Sequence, residues 1–215
     1  MNYIENIYVC LAAPLLVAVL CLRSSRRVHS MFLFAGMTTC ILSSYVTTYL
    51  SAVMQMDQLK ATLEVAPFVE EMMKFVPVLF YLLVFAPPKE EIVENVLMVS
   101  IGFATFENVC YLTTSGSDHF LDLLIRGFGT GTMHVVCGAI ISLGLAHLLE
   151  RSWLRVAGTI GLLTVSVSYH GVYNILVSQT GVTAVIGYSI SLLVVLAVVI
   201  GRATQKISEK NFEKM

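Results

Sequence analysis

Seven apolar stretches, each about as long as one bilayer crossing, limit what this chain can fold into more than any other feature. They occupy residues 4–22, 31–54, 66–85, 92–112, 121–149, 153–177 and 182–201. A hydrocarbon core about 30 Å thick is crossed by a helix of about 20 mostly apolar residues. The expectation is therefore an all-α, polytopic membrane protein with seven transmembrane helices. Of 215 residues, 57% are apolar and 13% charged, where soluble domains carry about 25% charged residues. Mean hydropathy is +0.81, and the spans leave no room for a separate soluble domain. Residues 1–201 read as one transmembrane helical domain and 202–215 as a short basic cytoplasmic tail.

Lysine and arginine set the orientation, because short cytoplasmic loops retain them. The segment MNYIENIY lacks the basic stretch that opens a cleavable signal peptide, and Arg23, Arg26 and Arg27 follow the first span. That order predicts an uncleaved helix with its N-terminus outside. Cytoplasmic segments then hold Arg23, Arg26, Arg27, Lys89, Arg151, Arg155, Arg202, Lys206, Lys210 and Lys214, against Lys60 alone outside. Lys74 and Arg126 lie within or at the edge of spans. The expected topology is N-out, C-in. A net charge of −1 gives no basic excess to attract nucleic acid. The five cysteines all fall in apolar runs, without a CxxC pair, and read as small helix residues.

Ionisable groups within a spanning helix cost several kcal/mol unless they face the bundle interior and find partners, so they mark candidate sites. Four clusters qualify. In FVEEMMK, Glu70 and Glu71 open the third span, with Lys74 three and four residues on, on the face of both carboxylates. Pro67, a natural first-turn residue, predicts that this helix starts before the pair. FATFENV puts Glu107 and Asn108 in the fourth span, with Phe103 one turn before Glu107. His134 lies in GTMHVVCG of the fifth span, among small residues that let another helix approach. In YHGVYN, His170 and Asn174 share one face of the sixth span. With the expected topology, all four clusters fall at a similar depth in the outer half of the membrane.

The ordered set EExxK (Glu70 to Lys74), FxxxEN (Phe103 to Asn108), His134 and HxxxN (His170 to Asn174) resembles the PrsW family of bacterial intramembrane proteases. The resemblance covers spans three to six. A wider likeness extends to the prenyl-CAAX endopeptidases, the bacteriocin-processing CPBP proteases and the γ-secretase scaffold subunit. CAAX-type enzymes differ in carrying EExxxR and FxxxH, and many PrsW-like sequences end the last motif in Asp. The resemblance implies a protease in the bacterial cell membrane that makes the first cut in a membrane-anchored anti-sigma factor, releasing a stress response.

It further implies Glu70 as general base, with Glu71 and Lys74 holding its geometry and charge, and Glu107 as a second water-orienting or proton-carrying group. His170 and Asn174 suit the oxyanion, and His134 is a candidate acid; Phe103 and Asn108 support. The expectation is metal-free glutamate chemistry without a cofactor. Zinc held by His134, His170 and a glutamate is the alternative, one that would need a partner to orient each histidine. Serine or cysteine catalysis has no motif here. A proton- or cation-coupled transporter would also use intramembrane Glu and His, but paired repeats are not visible. A non-catalytic membrane scaffold is the third class.

Overall fold

The computed structural model describes residues 4–22, 24–115, 120–148 and 155–212, and among them there is no strand. Long helices run as α1 (Ile4–Cys21), α2 (Ser24–Val53), α4 (Ala66–Phe85), α5 (Lys89–Ser115), α6 (Phe120–Leu148), α7 (Arg155–Val177) and α8 (Val182–Phe212). A single turn, α3 (Gln58–Lys60), and a π-helical turn (Ala61–Val65) lead into α4. The expected all-helical membrane architecture is the one found. Among the described residues, six helices are long and apolar enough to cross a membrane: α1, α2, α5, α6, α7 and α8. The expected third span, α4, is 20 residues long but carries Glu70, Glu71 and Lys74, which lower its apolarity. Helix α8 continues beyond its apolar part, which ends at Gly201, as far as Phe212.

The entry into α4 has a local cause. Pro67 has no N–H, so it cannot donate to a carbonyl one turn back. The ladder slips by one residue there, and the N–H of Ala66 reaches Ala61 O, a π-type bond. In this register Thr62 O would next accept from residue 67, which is the proline. The Asn174 amide of α7 donates to that carbonyl instead, at 3.0 Å. Helix α4 thus begins at Ala66, ahead of the two glutamates, as Pro67 predicts.

Two glycines let backbones touch. A Cβ on Gly36 of α2 would lie 2.1 Å from Val99 O, and one on Gly102 of α5 would lie 2.0 Å from Leu33 O. Small residues at such crossings are what allow helices to pack closely in lipid. Gly138 of α6 makes a similar approach to α5, where its Cβ would meet Ser100 Oγ at 2.3 Å.

Three apolar clusters fill the interior. One joins α2, α4, α5 and α6 through Phe32, Phe75, Val99 and Leu145. A second joins α2 and α5 through Met37, Cys40, Phe103 and Phe106, with Tyr8 of α1 against it. The third joins α6 and α7 through Met133, Cys137 and Tyr173. In sequence Lys74 precedes Phe75 of the first cluster, Phe103 belongs to the second and His134 follows Met133 of the third. Large apolar side chains such as Leu83, Val156 and Val182 cover the outside.

Candidate active site

Position 71 carries the innermost carboxylate. Glu71 is fully buried, and three groups from two helices converge on it. Lys74 Nζ donates to Oε1 at 2.6 Å, His170 Nδ1 lies 2.8 Å from the same oxygen, and Ser166 Oγ donates to Oε2 at 3.0 Å. Burying an ion is tolerable only when a counter-ion and hydrogen bonds replace water, and Glu71 has both. With Nδ1–H of His170 donating to the carboxylate, Nε2 of the neutral ring is left with its lone pair.

Glu70 projects from the next position of α4, and its situation is the reverse. Its Oε2 is buried without a hydrogen-bond partner. His170 Nε2 is 3.7 Å away, beyond hydrogen-bond length. Two electron pairs thus face each other with nothing described between them. A cation or a transferable proton would satisfy both.

His134 connects this centre to a second carboxylate. Its ring is fully buried, with Nδ1 3.1 Å from Lys74 Nζ and Nε2 2.6 Å from Glu107 Oε2. An ammonium can only donate, so Nδ1 accepts and Nε2–H donates to Glu107. Phe103 closes the floor: its ring centroid lies 5.0 Å from that of His134 and 5.1 Å from Lys74 Nζ. Arg126 of α6 completes the chain of charges, donating to Glu107 Oε1 at 3.3 Å with its guanidinium 3.7 Å from the centre of the Tyr111 ring. One ligand atom each from Glu70, His134 and His170 lie within 4.8 Å of one another, a spacing suited to one metal ion.

The family description "PrsW family intramembrane metalloprotease" matches residues 24–201, from the start of α2 to the end of the apolar part of α8. The chain belongs to this family. No curated protein and no solved structure matches the chain.

Within this PrsW family member, seven of the nine residues named from sequence are neighbours: Glu70, Glu71, Lys74, Phe103, Glu107, His134 and His170. The other two turn elsewhere. Asn174 is taken up by Thr62 O, and Asn108 faces Gly127, its Nδ2 3.5 Å from that carbonyl oxygen. Sequence reasoning passed over two contributors. Ser166 lies four residues before His170, on the same face of α7, and that spacing could have revealed it. Arg126 lies within or at the edge of its span, and an arginine one turn or two into an apolar helix is itself a signal.

The metal named in the family description can be tested against these residues. His, His and Glu are the ligand set of one class of catalytic zinc site. The orphaned Glu70 Oε2 and the free lone pair of His170 Nε2 supply two ligands directly. The expectation against zinc is that each histidine needs a partner to orient it, and that only the Glu and Asn set already needed for chemistry could supply one. For His170 Glu71 is such a partner, and for His134 it is Glu107, since a ligating histidine normally passes its other N–H to a carboxylate. His134 fits on condition that it releases one of its two hydrogen bonds.

Proposed function

We propose that this PrsW family protease hydrolyses a peptide bond of a membrane-anchored protein inside the bilayer, with Glu70, His134 and His170 holding a divalent metal ion. The observation that supports this best is the unpartnered Glu70 Oε2 facing a histidine whose ring is fixed from behind by Glu71. A metal there, when bound, polarises a carbonyl and brings the pKa of water to about 7. The remaining steps fall to the protein. Lys74 and Ser166 hold Glu71, and Glu71 holds the His170 ring. Glu107 accepts from His134 Nε2–H on one oxygen and from Arg126 on the other, and a lone pair left on that carboxylate can take a proton. Water then adds to the scissile carbonyl carbon, its proton passes to Glu107, the C–N bond breaks, and Glu107 returns the proton to the leaving amine. Arg126 keeps Glu107 in reach throughout.

A second reading, metal-free hydrolysis with Glu70 as base, is favoured by one observation: both ring nitrogens of His134 are engaged, which leaves none for a metal. In either case we take α4 as a seventh crossing, its charges turned inward, with the N-terminus outside. The substrate class is a single-span protein, an anti-sigma factor by family likeness, and the location a bacterial cell membrane.

The test uses purified protein in lipid vesicles with a membrane-anchored peptide substrate. About one zinc per chain, lost with activity on chelation and restored by zinc, is the expected result. Full activity without stoichiometric metal would transfer the chemistry to Glu70 alone. Folded wild type that cleaves no more than Glu70→Gln would remove the peptidase reading and leave a scaffold.

A further inference from the structure

Lys74 is shared between two acceptors. Its ammonium donates to Glu71 Oε1 at 2.6 Å and to His134 Nδ1 at 3.1 Å. The second bond conflicts with a metal ion on His134. A ligating histidine keeps one N–H on an outer partner and offers its other nitrogen to the ion. Glu107 already holds Nε2–H at 2.6 Å, so Nδ1 is the nitrogen on offer, and the ammonium covers it. An ammonium has no lone pair with which to join such a site, and as a cation it repels the ion. It has to turn away before the Nδ1 lone pair is free.

The packing leaves room beside it. A cavity of about 10 Å³ lies against Lys74, bordered by Glu71 of α4, Ser100 of α5, Gly138 of α6 and the apolar Val78 and Val99. That is about the space of one water molecule, and an ammonium group is of similar size. Ser100 is buried, and its side chain owes its place to the glycine opposite: a Cβ at position 138 would lie 2.3 Å from Ser100 Oγ. A hydroxyl oxygen carries two lone pairs, so Ser100 is able to accept from an ammonium whichever way its own proton points. Phe103, with its ring centroid 5.1 Å from Nζ, attracts the charge but has no such oxygen.

We propose that Lys74 is a two-position gate on the metal site: it rests on His134 when no metal is bound and swings to Ser100 when His134 gives its Nδ1 lone pair to an ion. Ser100 is then a positioning residue, acting on the metal through Lys74. This rests on the metal reading above. Glu71 bonds Lys74 in the first position and borders the second, so the ammonium keeps its counter-ion throughout. Without an acceptor in the second position, the displaced N–H would be left unpaired in a dry interior, and metal affinity would fall by the worth of that bond.

The experiment titrates zinc into the purified full chain in detergent, against a competing chelator, and follows thermal unfolding of the metal-free protein. Ser100→Thr and Ser100→Val have the same shape and differ in the hydroxyl. Zinc should bind Ser100→Val about tenfold or more weakly than Ser100→Thr, the worth of a hydrogen bond to a charged group. The two metal-free proteins should unfold at similar temperatures, because the ammonium then rests on His134. On a Lys74→Met background the two Ser100 variants should bind zinc alike, since the group they act through is gone. Equal zinc affinity of Ser100→Thr and Ser100→Val, or a difference that persists without Lys74, would overturn the gate and leave the metal site standing. If Lys74→Met does not fold, the Ser100 pair decides alone. Wild type with no zinc binding that Glu70→Gln abolishes would overturn the metal reading and the gate with it.

Discussion

Glu70 and Glu71 are neighbours in sequence, yet the structure predicts opposite consequences for the same substitution. Glu71→Gln removes the negative charge that Lys74 meets at 2.6 Å and His170 at 2.8 Å, at a position with no exposure to solvent. The Lys74 ammonium, only 4% exposed, is then left without its nearest counter-ion. Breaking a buried pair from one side costs about 3–5 kcal/mol. For a chain of this size each kcal/mol moves Tm by roughly 2–4 °C, so Glu71→Gln should unfold roughly 6–20 °C lower. Glu70→Gln loses no partner at Oε2 and should cost less than about 1.5 kcal/mol, the net value of one hydrogen bond. Cleavage should nonetheless disappear, because an amide neither binds a cation well nor accepts a proton. The assay is thermal unfolding in detergent beside cleavage in vesicles. A Glu71→Gln protein as stable as wild type, or two variants equally destabilised, would refute the division of labour drawn here.

Asn174→Leu leaves Thr62 O without its donor, at a cost of about 0.5–1.5 kcal/mol, the net value of one hydrogen bond. Thermal unfolding should register this; an unchanged Tm with a fall in kcat alone would return Asn174 to the oxyanion role expected from its motif. Cysteines placed at residues 24–29 should react only with reagents that reach the cytoplasm, and labelling from outside would invert the topology.

The helices were legible because each crossing has to be apolar over its whole length, and that requirement is written continuously along the chain. Helix α4 shows the limit. The three charges that mark the site also reduce the signal of the helix that carries them. The spacing of Glu70, Glu71 and Lys74 placed all three on one face. It could not say that Lys74 bonds Glu71 and not Glu70, because both separations are compatible with contact. That choice is made by His170 and Ser166, which reach Glu71 across 95 or more residues of sequence. Asn174 shares the face of His170 as its spacing requires. The demand it answers, however, arises from a slipped ladder near Thr62, which depends on Pro67 and on no feature of α7.

The α2–α5 crossing has a consequence for how the sequence can drift. At Gly36 and Gly102 the obstacle to any larger residue is main chain, Val99 O and Leu33 O, and no change of neighbouring side chain can move it aside. At Gly144 and Gly158 the obstacle is the end of a leucine, Leu162 and Leu148. A shorter residue at either leucine would make room. Mutational paths through the second pair are therefore open in two steps, one at the glycine and one at the leucine, whereas the first pair admits no compensating partner. Among variants recovered by random mutagenesis and selection for a folded chain, second-site revertants should appear for Gly144 and Gly158 and be missing for Gly36 and Gly102.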